Sequence, residues 1–96
     1  MKIIFTDEAQ GQLDELLYYL ETEWSPRIRA RFLTRLQSFL AIIERMPKAF
    51  QATEFPAAEN ARRCVVVPQV SVYYQIDEAN QQIIILTIRD NRMGWN

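Results

Sequence analysis

The sequence predicts an α+β domain with the element order β-α-α-β-β-β: a helical hairpin packed on one face of a small, mainly antiparallel four-stranded sheet. Three observations lead there. Residues 6–46 carry apolar side chains at helical spacing on two arms, broken at Trp24-Ser25-Pro26. From Arg62 onward the pattern changes to β-branched runs and strict alternation. A short β-prone run, Lys2 to Phe5, precedes the hairpin and supplies one more strand.

Thr6 after that first run is a good N-cap, and Asp7 and Glu8 favour the positive end of a helix. Ala9, Leu13, Leu16, Leu17 and Leu20 form one stripe on the first arm. Gly11 within it costs about 1 kcal/mol relative to alanine, and either serves a close backbone approach or is incidental. Ser25 suits the next N-cap and Pro26 the first helical position, where a missing N–H costs nothing. On the second arm Ile28, Phe32, Leu36, Phe39, Leu40 and Ile43 recur at three and four, until Pro47 stops the helix. Lys48 to Ala61 shows no period and reads as a loop, which Phe50 and Phe55 pin to the body.

Three strands follow. Arg62 to Val67 is continuous and β-branched, and Pro68-Gln69 turns the chain. Val70, Val72, Tyr74 and Ile76 alternate with Ser71, Tyr73, Gln75 and Asp77, which gives one apolar face. Glu78 to Gln81 turns the chain again. Ile83 to Ile88 is apolar on both faces, the mark of a central strand. The N-terminal strand is therefore expected beside it, with the hairpin on one face and the other face partly open.

Ninety-six residues make a single domain, 1–96, with one core. Eleven basic and twelve acidic side chains nearly cancel, and neither half is basic: six against seven in residues 1–47, five against five in 48–96. Nucleic-acid binders show a basic excess, so RNA or DNA is disfavoured as the main partner. No apolar run reaches the roughly 18 residues of a membrane span, and no signal-peptide pattern opens the chain. One cysteine, Cys64, excludes an internal disulfide and fits a reducing compartment, so the protein is expected in the cytoplasm.

The chain has no histidine, hence no common general base at neutral pH and no zinc site of the usual spacing. No glycine-rich phosphate loop exists either, and neither a metal nor a cofactor is expected. Charge clusters remain. Arg27, Arg31 and Arg35 stand one above another on the second arm. They either form a solvated face, with Glu21 near Arg27 or Arg29 and Asp14 near Arg35, or dock an acidic partner segment. Arg62 and Arg63 start one strand, and Arg89 and Arg92 end another; they either converge at one rim to gather a phosphate or carboxylate, with Asp90 neutralising part of the cluster, or are charges fraying strand ends.

A short strand, a long hairpin broken at EWSP (23–26), then ARRCVVVPQVSVYYQID (61–77) and QQIIILTIRDNR (81–92) together resemble the RelE/ParE superfamily of toxins from type II toxin–antitoxin pairs. The resemblance covers almost the whole chain. RelE-like members cut messenger RNA on the ribosome with basic residues on the second strand, an arginine opening the third, an arginine after the fourth and a tyrosine near the C-terminus. Arg62 matches the first and Arg92 the arginine after the fourth strand, which makes these two the catalytic candidates of a ribonuclease. Ser71 stands at the third-strand position, Cys64 at a second basic position, and Trp95 has no hydroxyl to replace the tyrosine.

The chain is more similar to the ParE-like branch, whose members carry the long hairpin, lack the ribonuclease set and inhibit DNA gyrase by binding. That resemblance implies a growth-inhibiting, plasmid-stabilising toxin neutralised by a cognate antitoxin that wraps the hairpin and the open sheet face. It implies a homodimer or a toxin–antitoxin hetero-oligomer. Arg27, Arg31, Arg35, Arg63, Arg89 and Trp95 are the residues expected to meet partners. The alternatives are a RelE-like ribosome-dependent endoribonuclease and a non-toxic interaction module of the same fold.

Overall fold

The computed structural model describes residues 1–56 and 58–90. The chain runs through β1 (Lys2–Phe5), α1 (Asp7–Tyr19), a π-helical turn (Leu20–Trp24), α2 (Pro26–Arg45), β2 (Gln51–Ala52), β3 (Ala61–Val67), β4 (Val70–Asp77) and β5 (Gln82–Asp90). The strands form one sheet in the order β1-β5-β4-β3-β2. Only β1 and β5 run parallel, with Ile3 opposite Ile83 and Phe5 opposite Ile85. The expected α+β architecture is therefore present, with the last strand central and the first beside it. The fifth strand is the addition: two residues of the expected loop pair with Arg63 and Arg62 at the far edge.

Both helix starts follow from their caps. The Thr6 hydroxyl accepts from Ala9 N at 3.0 Å, and the Ser25 hydroxyl accepts from Ile28 N at 3.1 Å just before Pro26. Each such cap contributes about 1 kcal/mol. The first arm ends differently from expectation. Its last five residues widen into the π turn, where Ser25 N donates to Leu20 O at 3.0 Å. The wider turn keeps Leu20 buried, while Tyr18 and Trp24 remain exposed.

Ala9, Leu13, Leu16 and Leu20 of the first arm and Phe32, Leu36 and Ile43 of α2 pack on Cys64, Val66, Val72, Tyr74, Ile76, Ile83, Ile85 and Ile88. This layer holds the fold together. Truncating a fully buried member such as Leu36 costs about 2–5 kcal/mol.

Two bulges interrupt the ladder. Val65 pairs with Ser71 but Val67 with Val70, so Val66 is an extra residue in β3. Tyr73 pairs with Thr87 but Tyr74 with Ile85, so Leu86 is an extra residue in β5. Bulges free backbone groups, which need other partners. Here the helices and their caps provide them. The Thr6 hydroxyl donates to Leu86 O at 3.2 Å, and Gln12 Oε1 accepts from Ile88 N at 2.8 Å and from the Thr87 hydroxyl at 2.8 Å. Arg35 Nε donates to Val66 O.

The loop after α2 wraps the β3 edge and is held on both faces. Phe50 meets Phe39 of α2 edge-on at 5.8 Å, whereas Phe55 reaches the opposite face and lies 5.7 Å from Tyr73.

Gly11 is incidental to the packing, because a Cβ built there meets nothing within 4 Å. Gly11→Ala is expected to stabilise the fold by about 1 kcal/mol, read as a raised urea midpoint at unchanged m-value.

Candidate functional site

The open face is built by register. Arg63 stands opposite Tyr73, and Ser71 stands between Val65 on one side and Arg89 on the other. Cross-strand partners share a face, so Arg63, Tyr73, Ser71 and Arg89 all lie away from the helices. The bulge decides this for Arg89. A regular strand continuing from Ile83 and Ile85 would turn residue 89 toward the helices with them. The extra residue at Leu86 instead keeps Ile88 with Val72 and Asp90 with Val70, and sends Arg89 to the open side.

There the two arginines converge on one ring. The Arg63 guanidinium carbon lies 6.0 Å from the Tyr73 centroid, and that of Arg89 lies 5.2 Å from it and 5.9 Å from Phe55. Neither makes a hydrogen bond or an ion pair among the described residues, and both Nε atoms are buried without a partner. The hydroxyl of Ser71, a residue with no solvent exposure, also lacks a partner. Asp90, expected to neutralise part of this cluster, lies in register with Val70 on the other face.

Arg62 does not join the cluster. One residue from Arg63, it turns to the helix-packed side, where its Nη1 donates to Phe50 O at 2.7 Å and Lys48 O at 3.4 Å. It is a brace for the loop. Arg92 and Trp95 lie outside the described residues. Tyr73 and Phe55 belong to the cluster although the arginines alone were singled out from the sequence. The available signal was an aromatic residue on the polar face of an alternating strand.

The Arg27–Arg31–Arg35 row borders a second feature, a groove of about 890 Å³ between α2 and the β3–β4 turn. Leu20, Ile28, Phe32, Phe39, Val67 and Val70 form its apolar lining. No ion pair joins the two helical arms among the described residues, contrary to the pairing of Glu21 and Asp14 with this row. Arg35 holds the β3 bulge and lies 5.5 Å from the Phe39 ring. Arg27 and Arg31 are left exposed on the rim.

Two buried groups titrate outside the neutral range. Burial pushes the Cys64 thiol up to about 11. Burial also pushes the Tyr74 phenol up to about 12, against weaker opposing pulls from Arg62 and a backbone contact to Phe50. The Tyr74 hydroxyl donates to Pro47 O at 2.6 Å and serves the fold. No cluster of three or more His, Cys, Asp or Glu side chains suited to a metal occurs among the described residues. The open face thus offers concentrated positive charge and aromatic walls. It can hold an oxyanion.

A family model described as the ParE toxin of type II toxin–antitoxin systems, parDE, matches residues 3–95. No curated protein sequence matches the chain. Among solved structures, the chromosomal ParDE system of P. aeruginosa superposes with a TM-score of 0.72 at 14% identity, over 94% of this chain and 95% of that one. A YoeB/ParE toxin from Agrobacterium tumefaciens gives 0.70 at 14% identity, over 94% and 98%. The intact E. coli RelBE toxin–antitoxin complex gives 0.63 at 10% identity, over 93% and 94%. At these identities the structures share the fold.

The two neighbouring arginines separate in a stability measurement. Arg62→Met loses two carbonyl contacts and is expected to cost about 1–3 kcal/mol in urea denaturation, whereas Arg63→Met stays within about 0.5 kcal/mol or stabilises. The pH dependence has a definite sign. Both buried acids are raised, from 9.0 for Cys64 and 10.0 for Tyr74, so the folded chain keeps protons that the unfolded chain releases. Their contribution is complete below about pH 9 and is lost as pH climbs toward about 11 and 12, which alkaline denaturation would record.

Proposed function

The chain belongs to the ParE toxin family of type II toxin–antitoxin systems, and from that premise we propose that it arrests growth by binding DNA gyrase and is kept inactive by a cognate antitoxin. The carrying observation is the chemistry of the open face: two arginines over the Tyr73 ring, with no ion pair to either among the described residues. In-line cleavage of RNA needs a base for the 2′-hydroxyl and an acid for the leaving oxygen, besides charge. Ser71 stands where RelE-like members place an arginine, Trp95 has no hydroxyl where they place a tyrosine, and Tyr74 is committed to Pro47. Charge without the full RelE-like set suits a binder.

The near-neutral total supports the same reading, because an inhibitor aimed at a protein needs no broad basic field. No helix among the described residues is long and apolar enough to cross a membrane. For the antitoxin, the groove along α2 is the surface we assign. Its apolar lining and the exposed Arg27 and Arg31 on its rim match an amphipathic segment with acidic residues along one flank. Relatives of the same fold include toxin–antitoxin complexes.

Induction of the chain alone in a bacterial host is expected to stop growth, with lost DNA supercoiling or DNA damage and intact transcripts. Cleaved transcripts at arrest would overturn the gyrase reading in favour of a ribonuclease, and unimpeded growth would leave a non-toxic interaction module. With the antitoxin from the adjacent reading frame, Arg27→Glu/Arg31→Glu should weaken the complex at least about tenfold and flatten its salt dependence in titration calorimetry. An unchanged affinity would remove the antitoxin from this groove.

A further inference from the structure

The pair of arginines on the open face is incomplete as it stands. Two like charges are drawn over one ring from flanking strands, at 6.0 and 5.2 Å from the Tyr73 centroid, with no carboxylate paired to either among the described residues. Their buried Nε–H donors and the Ser71 hydroxyl are three polar groups removed from water without partners. Such groups are costly to leave unsatisfied, and here they cluster within two adjacent rungs of β3, β4 and β5.

We propose that this cluster is an oxyanion seat, in which Arg63, Arg89 and Ser71 receive the carboxylate of an acidic side chain carried by a partner protein. A carboxylate has two oxygens and four lone-pair directions, which suits two guanidinium donors and a hydroxyl arranged around a small span. Tyr73 and Phe55 wall the seat, so an incoming aliphatic stem packs on rings while its charge meets the arginines. Val65, beside Ser71 in register and 44% exposed, extends the contact with an apolar shelf. The segment that fits is therefore an acidic residue next to an apolar one.

A nucleic-acid phosphate has related geometry but fits the surroundings less well. Backbone binding draws on a row of cations, because each neutralised phosphate adds to affinity. Along this face, among the described residues, the next positions after the pair are Gln75 and Asp77 on β4 and Ile84 on β5, so in that direction the positive charge ends after one seat and meets a carboxylate. The total charge of −1 supplies no compensating field.

The proposal rests on the partner-binding reading above only in taking the carboxylate from a protein, and its test is independent of growth arrest. The nitrogen-labelled full chain is titrated at constant ionic strength with sodium acetate, inorganic phosphate and a short oligouridylate, each alone, while the arginine Nε–H resonances are followed. Acetate should shift the Arg63 and Arg89 resonances together and saturably. Arg63→Lys, Arg89→Lys and Ser71→Ala should each weaken that response at least about threefold, while Arg31→Met should leave it unchanged. Two positions on different strands keep the test usable if one variant fails to fold. A shift that never saturates, or one that survives all three substitutions, would overturn the seat. An oligouridylate binding at least about tenfold tighter than acetate and phosphate, and lost in the same variants, would replace the protein carboxylate with an RNA phosphate. Absence of growth arrest would leave these outcomes unaffected.

Discussion

Gln12 accepting from the Thr87 hydroxyl and from Ile88 N, with Thr6 donating to Leu86 O, is the contact on which the face of β5 depends. A bulge leaves backbone groups without ladder partners, and a buried central strand has no water to supply them. The start of the first helix, Thr6 and Gln12, fills that gap from one side. Arg35 does the same for Val66 O at the other bulge. Each irregularity in the sheet is thus matched to a polar side chain on the hairpin. The helices contribute apolar area and also hold the strands in the register that decides which residues share a surface.

The consequence is a division among the arginines that residue type alone does not disclose. Arg62 and Arg35 turn inward or across to backbone carbonyls and stabilise the loop and the β3 bulge. Arg63 and Arg89 turn to the open face, and Arg27 and Arg31 to the rim of the α2 groove, without hydrogen bonds or ion pairs among the described residues. Charges held by carbonyls add to folding. Charges held only over aromatic rings, with buried donors unmet, add little to it and leave favourable energy to be gained from an anion.

Much of the architecture was legible because local signals agreed. Thr6 and Ser25-Pro26 mark helix starts by chemistry that the structure reproduces, and the two-sided apolar run Ile83 to Ile88 marks the central strand. The five-residue π turn was not legible, because its sequence, Leu20 to Trp24, continues an ordinary helical pattern. The two-residue β2 is too short to carry a period. The bulges mattered most for the site. Period-two reading assigns faces by parity, and one extra residue reverses every assignment beyond it. Arg89 and Asp90 exchange faces for that reason. Adjacency in sequence groups Arg62 with Arg63, although adjacent residues in a strand point to opposite sides.

Register also separates the frame of this sheet from the chemistry it carries. The sheet face that gathers Arg63, Ser71, Tyr73 and Arg89 is set by backbone register, which the hairpin enforces regardless of what stands at each position. Changing the chemistry of that face then needs only side-chain replacement. Residue 71 is a serine, a hydroxyl without charge between Val65 and Arg89. Among the described residues the face carries two guanidiniums beside aromatic rings, a setting suited to an anion. Fold similarity at 10–14% identity to both ParE and RelBE structures is compatible with that: the frame is common while the side chains on it differ.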